Sequence, residues 1–194
     1  MNSSKTLIGI LLLCAWAAFA QPVSAQTRGV ALKAASVVTI ETTMGTIKVQ
    51  LFPAKSPVTV KNFLDYVNSG FYTGTIVHRV DFAICMGGYT EALSEKAAKP
   101  PIKNESKNGL KNLRGALAMA RYSDPNSARS QFFINVKDNP HLDASGSQFG
   151  YAVFGKVVEG MDVVDKIAAV KTGTIGSFYN VPLQTILIKS VKAK

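Results

Sequence analysis

The stretch HRVDFAICMGG, residues 78 to 88, sets the Arg79 guanidinium beside the His78 imidazole, follows them with an apolar run holding the Cys85 thiol, and closes on Gly87 and Gly88. Two chemistries could use it. A guanidinium is a permanently charged fork of donors, suited to electron density that develops in a transition state. A thiol beside a base is a nucleophile. Cys85 with His78 and either Asp81 or Asp143 can be drawn as a hydrolytic set, but a thiol within an apolar run is ordinarily a small inert hydrophobe. Metal binding is a poor fit, because His78 and His141 lie far apart in the chain and no pair stands at ligand spacing. Gly87-Gly88 has no following Lys-Ser or Lys-Thr, so no phosphate loop is expected. No cofactor and no metal are expected. What remains is Arg79 among apolar and aromatic residues, notably Phe82, Met119, Phe132, Phe133, Leu142 and Phe154; taken singly, each of these reads as core and the arginine as a surface cation.

The elements that must position these residues are mostly strands. VVTIET (37–42) and GTIKVQLF (45–52) are rich in β-branched residues and predict a hairpin. The period then changes: Ser56 can cap, Pro57 suits a first helical position, Val60, Phe63, Leu64 and Val67 recur at helical spacing, and Gly70 can end the helix, which predicts a helix over 57–69. Thr75 to Ile84 reads as strand. Residues 90–112, polar and broken by Pro100, Pro101 and Gly109, read as a long surface excursion. GALAMAR (115–121), SQFFINV (130–136) and YAVFGKVV (151–158) read as strands, MDVVDKIAAV after Gly160 as a short helix, and VPLQTILIKSVK as a last strand. Many strands, two separated helices and no βαβ alternation predict an antiparallel barrel or sandwich with helices outside it.

A length of 194 residues, with 47% apolar and 18% charged, suits one globular domain. The opening MNSSKTLIGILLLCAWAAFAQPVSAQT has Lys5, an apolar run from Leu7 to Phe19 and the small-x-small signals Ala18-Phe19-Ala20 and Val23-Ser24-Ala25. It predicts a secretory signal at residues 1–25, removed after Ala25, then a flexible segment at 26–36 and a folded domain at 37–194 in the periplasm. The apolar run is short for a membrane span of roughly 20 residues, and Leu12 and Leu13 are bulky for a lipid anchor at Cys14. Cleavage leaves Cys85 without a disulfide partner, so the fold must stand on its core. The formal charge of +10 comes from scattered lysines without a basic run or helix, which reads as a solvated basic surface and not a nucleic-acid site.

HRV at 78–80, GALAMAR at 115–121, SQFFINV at 130–136 and FGYAVFGKVVEGMDVVDKI at 149–167, four stretches in register, resemble the cyclophilins, which are peptidyl-prolyl cis-trans isomerases. The likeness runs from about Val37 to Val191. It is most similar to the exported bacterial branch, where a Tyr like Tyr151 stands in the position that many eukaryotic members fill with His. The resemblance implies a mainly β fold, an eight-stranded antiparallel barrel capped by two helices. It implies Arg79 as the catalytic residue, Phe82, Met119, Phe133 and Leu142 as walls of a proline pocket, Ala120 and Gln131 as groups holding the substrate backbone, and His141 and Tyr151 as its rim. His141 stands where other members carry Trp or Phe, and Arg121 departs from a common Asn. The implied partners are proline-containing peptides and unfolded exported proteins; no nucleic acid and no membrane after signal cleavage are expected, and a monomer is the default expectation.

One segment departs from the family pattern. Between HRV and the paired glycines the family runs close to Ile-Pro-Gly-Phe-Met-Ile-Gln, whereas this chain has Asp81-Phe82-Ala83-Ile84-Cys85-Met86. The turn-forming Pro-Gly is missing, and so is the glutamine that normally braces the arginine. Placing Phe82 on the family's Phe puts Cys85 on that glutamine and Ala83 on the pocket methionine; sliding the gap puts Met86 on the methionine instead. In an uninterrupted strand, residues 79 and 82 point to opposite faces, so Arg79 and Phe82 share a pocket only if the backbone bends between them. Two expectations follow. Cys85 replaces the missing support, and isomerase activity is reduced, with a proline-peptide-binding chaperone of weak or no catalysis as the alternative.

Overall fold

The computed structural model describes residues 37–194, besides Met1. The expected signal at 1–25, the segment at 26–36 and Cys14 lie outside the described residues.

The opening hairpin joins β1 (Val37–Thr42) to β2 (Gly45–Leu51), and alternate residues of both turn inward, as their period-2 pattern requires. Helix α1 (Pro57–Asn68) follows, then β3 (Val77–Val80) and β4 (Ala83–Met86), β5 (Ala116–Met119), β6 (Phe132–Asn135) and β7 (Val153–Glu159). Helix α2 (Met161–Ala168), a small hairpin of β8 (Thr172–Ile175) and β9 (Phe178–Pro182), and β10 (Ile188–Ala193) complete the chain. Eight strands form one antiparallel sheet in the order β10-β1-β2-β7-β5-β6-β4-β3, with β8 and β9 apart. The sheet curls until its edges nearly meet. Just before β3, Ile76 bridges Leu187; Val77 N donates to Ile186 O at 2.9 Å and Ile188 N to Thr75 O at 2.8 Å. The barrel expected from the resemblance is present, with almost no open edge.

The interior is apolar and aromatic. Phe132 lies 5.2 Å from Phe63 and 5.3 Å from Tyr72, centroid to centroid, and Phe154 lies 5.2 Å from Phe63. Helix α1 contributes Val60, Phe63, Tyr66 and Val67 to this core, and α2 contributes Val163, Val164 and Ile167. Gly87 has a φ of +83°, and a Cβ there would stand 2.8 Å from both the Phe132 and Tyr72 rings, so only glycine fits against the core at that turn.

Four readings are corrected. The expected strand at 75–84 is two strands with a turn at Asp81-Phe82, because β3 and β4 pair with each other. The expected last strand begins only at Ile188; Val181 and Pro182 belong to β9. Ser56 stands at the N-cap of α1, but its hydroxyl donates to Val153 O at 2.7 Å. Glu105, from the long excursion, caps the helix instead, accepting from Val58 N (3.1 Å), Thr59 N (2.8 Å) and Thr59 Oγ1 (2.7 Å). That excursion is accordingly stitched to the body and not merely laid over it: Asn104, Ser106 and Asn112 are buried within it, and Lys99 N donates to Tyr66 Oη at 2.8 Å.

Candidate active site

Strands β5 and β6 carry two clusters on opposite faces. Leu117, Met119, Phe132 and Ile134 point into the barrel; Ala116, Ala118 and Phe133 point out and gather with Ala83, Leu142 and Val153 into a second apolar cluster. Phe82, Cys85, Ala120 and Tyr151 pack around it. Leu142 arrives from a short helical turn, Pro140–Leu142, held from behind: Tyr151 N donates to Leu142 O at 2.8 Å and Asn112 Nδ2 to the same oxygen at 3.2 Å. The Tyr151 ring meets Phe133 edge-on at 5.5 Å, and the Arg121 guanidinium lies 4.6 Å above the Tyr151 ring.

The bend that a shared site demands lies at Asp81-Phe82. Asp81 N donates to Ala83 O at 3.1 Å, closing a tight turn. It brings the Arg79 guanidinium carbon to 5.5 Å from the Phe82 ring centroid, and Phe82 in turn stacks edge-on with His141 at 5.4 Å. Arg79 is 47% exposed at this lip. Its Nε donates to Asp81 Oδ2 at 2.7 Å, and its Nη2 lies 2.5 Å from the same oxygen. On β4, Ala83 and Cys85 face the outer cluster while Ile84 and Met86 are buried in the core, so Ala83, and not Met86, stands on the site's side, and Cys85 pairs with Arg79.

Phe82, Phe133, Leu142 and Tyr151 therefore meet at one site on the outer face, with Ala120 against its edge and with Arg79 and His141 joined to it through Phe82. Gln131 stands in an adjoining recess with Ala120, its Nε2 donating to Glu95 Oε1 at 3.3 Å. Met119 does not belong to the site: it pairs with Phe132 in register, and both point into the barrel. Its neighbour Ala118, opposite Phe133, belongs to the outer cluster instead.

The hydrolytic set does not assemble. Burial first, partly offset by the positive charge of Arg79, pushes the Cys85 thiol up to about 12, so it stays protonated at neutral pH. His78 turns away to stack on Tyr89 at 4.8 Å, and its Nδ1 has no hydrogen-bond partner. Asp81 is held by Arg79, and Asp143 accepts from Asn112 N at 2.8 Å. The support expected from Cys85 comes instead from Asp81, whose signal was an acid two residues past the arginine at the start of a turn. A buried amide relay behind the site was also missed. Asn135 Nδ2 donates to Ala116 O at 3.1 Å, and Asn139 Nδ2 to Asn135 Oδ1 at 2.8 Å and Phe82 O at 3.0 Å.

Among the described residues, a near-closed antiparallel barrel carries an apolar cluster on its outer face, the Arg79 guanidinium held by Asp81 at its edge, and a Cys85 thiol that stays protonated. The comparisons give this arrangement its family. The family model described as cyclophilin type peptidyl-prolyl cis-trans isomerase/CLD matches residues 37–193, and the chain belongs to this family. It is 48% identical over 192 residues to peptidyl-prolyl cis-trans isomerase A of Dickeya dadantii, covering 98% of this chain and 97% of that one. It is 53% identical over 160 residues to peptidyl-prolyl cis-trans isomerase B of Escherichia coli, covering 80% and 98%. Among solved structures, a cyclophilin type peptidyl-prolyl cis-trans isomerase of Cryptosporidium parvum, crystallised in the presence of the dipeptide Ala-Pro, matches with a TM-score of 0.71 at 30% identity, covering 81% of this chain and 98% of that one. The protein is a peptidyl-prolyl cis-trans isomerase.

Proposed function

We propose that the site on the outer face binds the prolyl ring of an exported, incompletely folded polypeptide and that Arg79 accelerates rotation about the preceding bond. The observation that carries this reading is the placement of the Arg79 guanidinium, held by Asp81, 5.5 Å from the Phe82 ring, which packs against the Phe133-Leu142 cluster. Rotation about an X-Pro bond is slow because it breaks amide resonance, at a barrier of about 18–20 kcal/mol. As the bond twists, the imide nitrogen loses conjugation and becomes a better acceptor than in either planar form. A donor aimed there binds the twisted state preferentially, which is the condition for acceleration. Each roughly 1.4 kcal/mol of such preference gives about tenfold in rate. The apolar walls hold the ring while the acyl side turns, and their dryness strengthens the arginine's interaction.

Export to the periplasm rests on the sequence of the first 25 residues: a charged start, an apolar run and the Val23-Ser24-Ala25 signal. The fraction in which the expressed chain is found, together with its N-terminal residue, tests it; a chain starting at Gln26 in the periplasmic fraction is expected. The Cryptosporidium neighbour supports short proline peptides as the substrate class.

The test is cis-to-trans isomerisation of a short Ala-Pro peptide by the protein and by Arg79→Ala, with a protease-free readout. The parent is expected to accelerate exchange and the variant to lose about a hundredfold or more of kcat/KM, the cost of removing one transition-state donor. A folded parent without acceleration, binding the peptide all the same, would move the reading to the chaperone.

A further inference from the structure

We infer that Asp81 is the positioning residue of the catalytic arginine, and that this shortened turn supplies its own brace. The inference rests on the role proposed for Arg79. A half-exposed arginine has several freely rotating bonds and, unheld, spends little time in any one pose. Here Oδ2 of Asp81 takes both the Nε–H and the Nη2 edge of the guanidinium, at 2.7 and 2.5 Å. The carboxylate is itself fixed, because Oδ1 accepts from Ala83 N at 3.2 Å while Asp81 N donates to Ala83 O at 3.1 Å. Asp81 is only 18% exposed, so solvent competes weakly for these bonds. Among the described residues Nη1 of Arg79 has no hydrogen-bond partner, which leaves a donor edge uncommitted for the twisting imide while the other edge is anchored.

The neighbouring side chain offers a way to separate bracing from mere turn structure. Cys85 is the Cα partner of Arg79 across β3 and β4 and lies on the outer face as Arg79 does. A glutamine there places an amide oxygen on the guanidinium from the opposite strand without touching the turn. The experiment therefore compares the parent, Asp81→Ala, Cys85→Gln, the double variant and Arg79→Ala, reading kcat and KM separately on one Ala-Pro peptide.

Asp81→Ala is expected to lose about tenfold in kcat with KM within about twofold, since the donor is displaced and the ring pocket is not. The double variant is expected to regain most of that loss relative to Asp81→Ala. Parental kcat in Asp81→Ala overturns the inference, as does a loss that the added glutamine fails to restore, which marks Asp81 as turn structure only. Parental activity in Arg79→Ala overturns the Arg79 reading itself and is thereby told apart. Should Asp81→Ala not fold, Asp81→Asn gives the same test. Its single amide oxygen cannot serve Ala83 N and the guanidinium together, so the same direction of loss is expected.

Discussion

At the scale of single residues, the neighbours Arg79 and His78 have opposite fates. Arg79 points out to solvent at the edge of the site; His78 is 8% exposed and carries a ring nitrogen without a partner. Burial, reinforced by the adjacent Arg79 charge, lowers the His78 imidazole to about 4. The native state thus keeps it neutral, whereas the unfolded chain binds a proton near pH 6.5. Between those values the unfolded state holds more protons, so stability is full above about pH 6.5 and falls as the pH drops towards 4. The loss attributable to this residue reaches on the order of 3 kcal/mol by a pH of about 4. Denaturant unfolding of the parent and His78→Leu at pH 7 and pH 4 is expected to show a larger acid loss in the parent by roughly that amount. Equal losses would mean that the imidazole is solvated or paired when the chain folds.

At the scale of elements, α1 was legible to within a residue because Pro57, the apolar spacing from Val60 to Val67 and Gly70 are all local signals. Its cap was not legible, because the acceptor is Glu105, brought back by the long excursion after β4. The same limit explains the site. Phe133, Leu142 and Tyr151 sit in motifs that mark their positions, and period-2 alternation already separates Phe132 from Phe133. Met119 was misplaced because its face depends on the register with Phe132 across β5 and β6, which no local pattern reveals. The brace on Arg79 was missed because it requires the geometry of a turn two residues long. Glu105→Ala is expected to leave the first-turn amides of α1 without their carboxylate and to cost about 1–2 kcal/mol of stability. Urea unfolding checks it. Peptide turnover at 25 °C is expected to stay near the parent's, since Glu105 lies on the helix side and not among the site residues.

At the scale of the whole molecule, the barrel wall is one residue thick, and function and stability are written on its two faces. Phe132 and Phe133 show this most directly, being chain neighbours on β6 and almost equally buried, at 0% and 3% exposed. Phe132 is enclosed by Phe63, Tyr72 and Gly87 inside the buried core. Truncating it leaves a cavity that rigid strands on both sides cannot close, and Phe132→Ala is expected to cost about 3–5 kcal/mol. Phe133 belongs to the thinner cluster on the outer face, packed against Tyr151 and Leu142. The space left by Phe133→Ala opens on that face and fills with water, so its stability cost is expected to be well below that of Phe132→Ala. The loss falls on binding instead: removing a phenyl wall worth about 1.5–3 kcal/mol of apolar contact raises KM for an Ala-Pro peptide by roughly tenfold or more. The checking measurements are unfolding midpoints and KM for both variants, side by side. A stability loss in Phe133→Ala as large as in Phe132→Ala, with KM unchanged, would mean that the outer cluster is a second core and that the substrate lies elsewhere on the barrel.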